Sequence, residues 1–184
     1  MKKIIVVAIM LCLCPSAKAT TLIVEPSLVF TDGKADHELT LFVNHNIAKH
    51  VSVWSWLLVS GEWSEHLSGV TFAPHPAIEL SLGAGVEQSQ GLWRTTASIW
   101  VGEKEHFFFG VVEVGDSGFW FKLESNFQVL KRLGLGFFAK RFVGVGPRIE
   151  IKLHKHLSLM GAPTWDSEEG KVKGIVSLKS SFTW

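Results

Sequence analysis

Hydrophobic residues in this chain come mostly one at a time. Mean hydropathy is positive, +0.25, yet beyond residue 19 no run approaches the roughly 20 apolar residues that a membrane-spanning helix needs. From residue 22 to the end, apolar positions alternate with polar ones. A period of two is the spacing of a β-strand, which sends successive side chains to opposite faces of a sheet. The last segment shows it most clearly. Val172, Gly174, Val176, Leu178, Ser180, Phe182 and Trp184 fall on one face. Lys173, Ser177, Lys179, Ser181 and Thr183 fall on the other, with Ile175 the exception.

The rhythm recurs upstream. Ile78, Leu80, Leu82, Ala84 and Val86 alternate with Glu79, Ser81, Gly83, Gly85 and Glu87, and Leu133, Leu135 and Phe137 with Gly134, Gly136 and Phe138. Charged residues keep to the polar face: Glu79, Glu87, Arg94, Lys122, Glu124, Lys140, Arg148, Glu150 and Lys152. A soluble core seldom tolerates so many charges. A solvated lumen does, so these residues are read as lumen-lining, with opposite signs able to pair across strands. On that reading Leu135 faces lipid near mid-bilayer, and Lys140 accepts glutamine with little loss. Gly134 and Gly136 leave room for Phe138 or Trp56, and Trp54 and Trp56 point inward as filler.

Turn residues punctuate the pattern, among them Asp32-Gly33, Ser60-Gly61, Pro74-His75-Pro76 and Gly115-Asp116-Ser117-Gly118. They divide the chain into about twelve strands: 22–30, 38–44, 50–58, 67–73, 76–87, 91–101, 105–114, 118–128, 131–142, 147–154, 156–165 and 171–184. The fold class that follows is all-β, an up-and-down antiparallel transmembrane β-barrel. Ten strands is the alternative, because 38–44 and 67–73 are short for a span of 9–11 residues.

The first segment stands apart. Lys2 and Lys3 precede an apolar run from Ile4 to Cys14, Pro15 breaks it, and Ala17-Lys18-Ala19 is an A-x-A cleavage site. This is the layout of a secretory signal peptide, residues 1–19, leaving 20–184 as a single barrel domain. Both cysteines, Cys12 and Cys14, lie in the removed part, so the mature chain offers no disulfide or thiolate metal site. The net charge of +1 provides no broad basic field for nucleic acid.

Signal peptide, hairpin rhythm and the terminal Lys-Ser-Ser-Phe-Thr-Trp together resemble the bacterial outer-membrane barrel class. The resemblance implies Sec-type export, residence in the outer membrane, contact with its lipid, and insertion by the barrel assembly machinery with Phe182 and Trp184 as the insertion signal. It also implies periplasmic termini. Trp93, Trp120 and Trp165 then fall at extracellular strand ends, and Trp100, Phe107 and Trp184 at periplasmic ends, as two interfacial girdles.

Two chemistries compete with a plain barrel. Lipid A deacylases are similar in size and carry a His-x-Ser pair with a later Glu, which His156, Ser158 and Glu169 match in type. The strand count separates His156 from Glu169 by a strand of about ten residues, roughly 30 Å. His154 and His156 could share a face and bind a metal, but no motif gathers three ligands. Gly134-Leu135-Gly136 lacks the strand-to-helix context of a phosphate loop. No cofactor is expected. The residues favour a non-enzymatic barrel, a narrow pore or a structural, integrity protein. A lipid-modifying enzyme and an adhesion or recognition barrel are the alternatives.

Overall fold

In the computed structural model, residues 20–61, 63–88, 93–103 and 105–184 are described. The expected signal peptide, residues 1–19, lies outside them. Twelve strands follow in order: β1 (Thr20–Thr31), β2 (Lys34–Ala48), β3 (Val51–Ser60), β4 (Trp63–His75), β5 (Ile78–Glu87) and β6 (Arg94–Glu103) form the first half. β7 (His106–Gly115), β8 (Gly118–Leu130), β9 (Leu133–Lys140), β10 (Gly144–His154), β11 (Leu157–Asp166) and β12 (Lys171–Thr183) form the second. Each pairs with its neighbours, and β1 pairs antiparallel with β12, so the sheet closes into a barrel with no free edge. The ten-strand alternative fails because the short segments 38–44 and 67–73 are the apolar centres of longer strands, β2 and β4. Their polar ends hide the alternation, but the backbone pairing continues through them.

The β1–β2 hairpin turns in two residues, Asp32 and Gly33. At the β1–β2 turn Asp32 and Gly33 have φ of 51° and 76°, as a type I′ turn demands of both central residues, and Asp-Gly suits it. Lys171 reaches across from β12 to bond Asp32 at 2.7 Å. That hydrogen bond, and then the ammonium charge itself, lowers the Asp32 pKa. Both groups are exposed, so the contact fixes geometry more than it stabilises.

The outer surface is apolar. Leu82 and Val172 are 70% and 68% exposed, and Leu135, Phe137, Ile149 and Ile151 also stand out from the barrel wall. A contiguous belt of this kind suits lipid and not water. Trp93 and Trp165 are exposed near the end remote from the termini, and Trp184 at the end that carries them. Trp100 and Phe107 correct the girdle expectation. Both line the lumen, stacked on each other at 6.4 Å. Trp100 continues the inner face of Arg94, Thr96 and Ser98, and Phe107 that of Val111 and Glu113. Trp120 likewise turns inward and is buried.

The seam explains what the last residue does. Leu22 pairs with Phe182 and Val24 with Ser180. Beyond them the backbones of Thr20 and Trp184 exchange two hydrogen bonds, at 2.9 and 3.1 Å. Deleting Trp184 removes both bonds and the terminal aromatic, whereas changing Thr183 alters only a side chain. We expect the deletion to reduce the yield of folded barrel several-fold, and Thr183→Ser to leave it near the wild-type level. Folded barrels migrate differently on a gel before and after heating, which measures the yield. Equal yields would remove the assembly role from the terminal residue.

Candidate functional site in the barrel lumen

Inward-facing side chains come from every second position of all twelve strands, and they divide the lumen in two. The half remote from the termini is filled. Arg94 on β6 is its centre. Its guanidinium lies 2.5 Å from Glu87 on β5, 2.7 Å from Glu113 on β7 and 3.2 Å from Glu65 on β4. Ser117 in the β7–β8 turn is bound to both members of the Arg94–Glu87 pair. The Trp63 ring lies 5.9 Å from the guanidinium. None of the four charged side chains is more than 3% exposed.

Two further ion pairs extend this layer. Lys140 bonds both oxygens of Glu38 at 2.5 and 2.6 Å, with the Trp120 ring 5.9 Å away. Lys173 bonds Asp166 at 2.7 Å and the Phe142 carbonyl at 2.9 Å. Phe138, Val143, Met160, Ala162 and Ile175 pack into an apolar cluster beside them. Ile175, the exception in the alternation of β12, is therefore an inner-face residue of this cluster. Lys140 is not the solvated lumen charge expected above. It is a buried partner, and glutamine there would leave Glu38 without its counter-ion.

The half nearer the termini is looser. It opens into a cavity of about 410 Å³. Glu79, Lys122 and Glu124 line it, and the buried Lys140–Glu38 pair of the filled layer bounds its inner end, whereas Glu87 and Arg94 lie within the filled layer. Arg148 is held by Asn126 at 2.8 Å and Glu150 at 2.5 Å, with Glu124 at 3.8 Å. Lys122 approaches Glu124 to 3.6 Å. Lys152 bonds Glu105 and Gln128 near the termini-side rim. Gly134 corrects another expectation. The space its missing Cβ leaves is taken by the Asn126 side chain, not by Phe138 or Trp56, and a Cβ there would come within 2.3 Å of it. That space lets Asn126 reach Arg148.

The alternative catalytic residues are not brought together. His156, in the β10–β11 turn, gives its Nδ1 to the Ser181 carbonyl at 2.9 Å and stacks on Phe182. Ser158 is buried near the same end of β11. Glu169 lies past the other end of that strand, bonded to Lys173 at 2.9 Å. The His154 and His156 rings are 5.9 Å apart, and among the described residues no three metal-ligating side chains cluster.

The sequence reading omitted Glu38, Glu65 and Glu113, which complete the buried layer. Glu113 carries a local signal, a lone charge between Val112 and Val114, whereas Glu38 follows His37 and Glu65 lies between Ser64 and His66, so nothing local marks those two. It also missed a polar group on the outer face, where Ser55 and His66 are 2.8 Å apart and Ser68 approaches Ser55 at 3.4 Å.

No protein-family model matches the chain, and no curated protein does. Solved structures do match in fold. The KdgM porin is similar at TM-score 0.56 and 12% identity, over 87% of this chain and 99% of that one. The same porin in complex with disordered oligogalacturonate gives TM-score 0.59 at 12% identity, over 88% and 99%. The NanC porin gives 0.54 at 7% identity, over 88% and 98%. The chain thus has the fold of small outer-membrane porins, a closed antiparallel barrel of twelve strands.

Proposed function

We propose that this chain is a non-enzymatic barrel of the bacterial outer membrane, and that its lumen is a narrow, closed passage and not an open water-filled channel. The observation that carries this is the buried ionic layer, in which Lys140 on β9 meets Glu38 on β2 across the barrel while the Arg94 cluster and Lys173–Asp166 fill the space along the walls. The apolar outer belt and the porin-like fold support placement in the membrane. The oligogalacturonate held by one similar porin is a polyanion. Among the described residues the cavity wall carries no cationic excess to draw one in. Glu25, Glu38, Glu79 and Glu124 share its wall with Lys122, Lys140 and Lys179.

Refolded protein in a planar bilayer tests the reading. The expected result is a quiet membrane, or rare brief openings, under voltages at which an open porin conducts steadily. A large conductance that persists from the moment of insertion would overturn the closed lumen.

A further inference from the structure

The termini-side cavity has three features that closing the barrel does not require. The first is an aromatic floor laid down by design of the backbone. Trp54 lies flat against the wall across β4 and β5 because both strands carry glycine there. A Cβ on Gly69 or Gly83 would come within 2.5 Å of the indole. Further along the wall Trp100 and Phe107 form a stacked pair.

The second feature is Glu79. It lines the cavity on β5, in register with Trp100 on β6. The carboxylates of Glu38 and Glu124 are committed to cations. Among the described residues Glu79 has no ion pair. Glu25 is a second such carboxylate on the wall, and Lys179 the one such cation. A carboxylate beside aromatic faces is the environment that recognises an ammonium group with an apolar body.

The third feature is a buried donor and a buried acceptor, both without a partner: the indole Nε1 of Trp54 and the amide Oδ1 of Asn44. Trp54 itself is 8% exposed. The two residues are register partners across β2 and β3, and both line the cavity. Buried polar groups are rarely left unpaired, because each loses its hydrogen bonds to water. One ligand hydroxyl placed between them would satisfy both, accepting from the indole N–H and donating to the amide oxygen.

We propose that this cavity binds a small hydroxylated organic cation, an aryl amino alcohol in chemical class, with its ammonium on Glu79, its ring on the aromatic wall and its hydroxyl between Trp54 and Asn44. The volume of about 410 Å³ falls within the range of small-molecule sites. The proposal goes beyond the functional reading above, since it needs the cavity and not a closed lumen.

The probe is 2-amino-1-phenylethanol, titrated calorimetrically into the folded full-length mature barrel in detergent micelles. Mandelate is the counter-probe, since it keeps the ring and hydroxyl and replaces the amine with a carboxylate. Saturable binding of the amine is expected, at least ten-fold tighter than mandelate, and at least ten-fold weaker in Glu79→Gln. The heat-dependent gel shift confirms that the variant is folded. If Glu79→Gln fails to fold, the comparison of the two probes on the wild-type barrel decides alone. Absence of saturable binding, mandelate binding as tightly as the amine, or full affinity in folded Glu79→Gln would each overturn the proposal. A barrel that binds the amine but conducts steadily would overturn the closed lumen and leave this site standing. A quiet barrel that binds neither probe would do the reverse.

Discussion

Arg94→Ala is expected to destabilise the folded barrel by about 3–5 kcal/mol, the cost of breaking a buried ion pair by removing one partner. The geometry explains why the loss falls at the upper end of single-substitution effects. One guanidinium serves Glu65, Glu87 and Glu113 from three different strands, and all four side chains are buried. Both carboxylate oxygens of Glu65, and one of Glu113, already lack a hydrogen-bond partner. Removing the cation leaves three acids in one dry space without the guanidinium they share. The converse substitution behaves differently. Glu65→Gln removes one of the three acids competing for a single cation, and its amide can donate a bond, so its stability is expected to equal or exceed the wild-type value. Urea unfolding from lipid vesicles, followed by tryptophan fluorescence, measures both. If Arg94→Ala lies within about 1 kcal/mol of wild type, well short of the cost of a broken buried pair, the layer does not hold this half of the barrel together.

The contrast between those two variants shows where sequence reasoning stops. Closure and strand number were legible, because turn residues and a period of two are local. Ala35 to Phe30 and Thr183 to Thr21 are pairings that an up-and-down order implies once the strands are counted. The filled layer was not legible in the same way. Lys140 and Glu38 lie 102 residues apart, and nothing in either segment names the other. A lumen charge reads identically whether water or a carboxylate faces it. Aromatic residues mislead for a related reason. Trp100 suits a lipid interface and an inner wall equally, so only its parity with Arg94 and Ser98 assigns it. Gly134 shows the limit for small residues. The period places it on the inner face, but the occupant of the space it leaves, Asn126, depends on register with β8.

Leu135→Arg tests the two faces of one strand against the ion pair at its end. Leu135 lies on the outer face of β9, in register between Phe127 on β8 and Ile149 on β10, and all three are exposed to the surroundings of the barrel. It sits close to the midpoint of Leu133–Lys140. An arginine at such a depth must be desolvated or must deform the bilayer, and the expected loss in lipid vesicles is about 2–4 kcal/mol. Lys140→Gln, on the inner face, is expected to lose about 1–3 kcal/mol, because Glu38 keeps a possible amide donor but loses its counter-charge. The two losses respond differently to a second change. Glu38→Gln combined with Lys140→Gln should recover most of the inner-face loss, since no buried charge then remains, and should do nothing for Leu135→Arg. Cysteine substitutions give an independent reading, because the sequence has no cysteine beyond Cys14. Leu135→Cys should react with a lipid-soluble maleimide and resist a charged one. Lys140→Cys should resist the lipid-soluble reagent, because it faces the lumen, and react only slowly with the charged one, because the native side chain at the inner end of the cavity is 7% exposed. Rapid labelling of Lys140→Cys by the charged reagent would show water in that layer. Equal labelling of Leu135→Cys by both reagents would show that the outer face of β9 does not meet lipid.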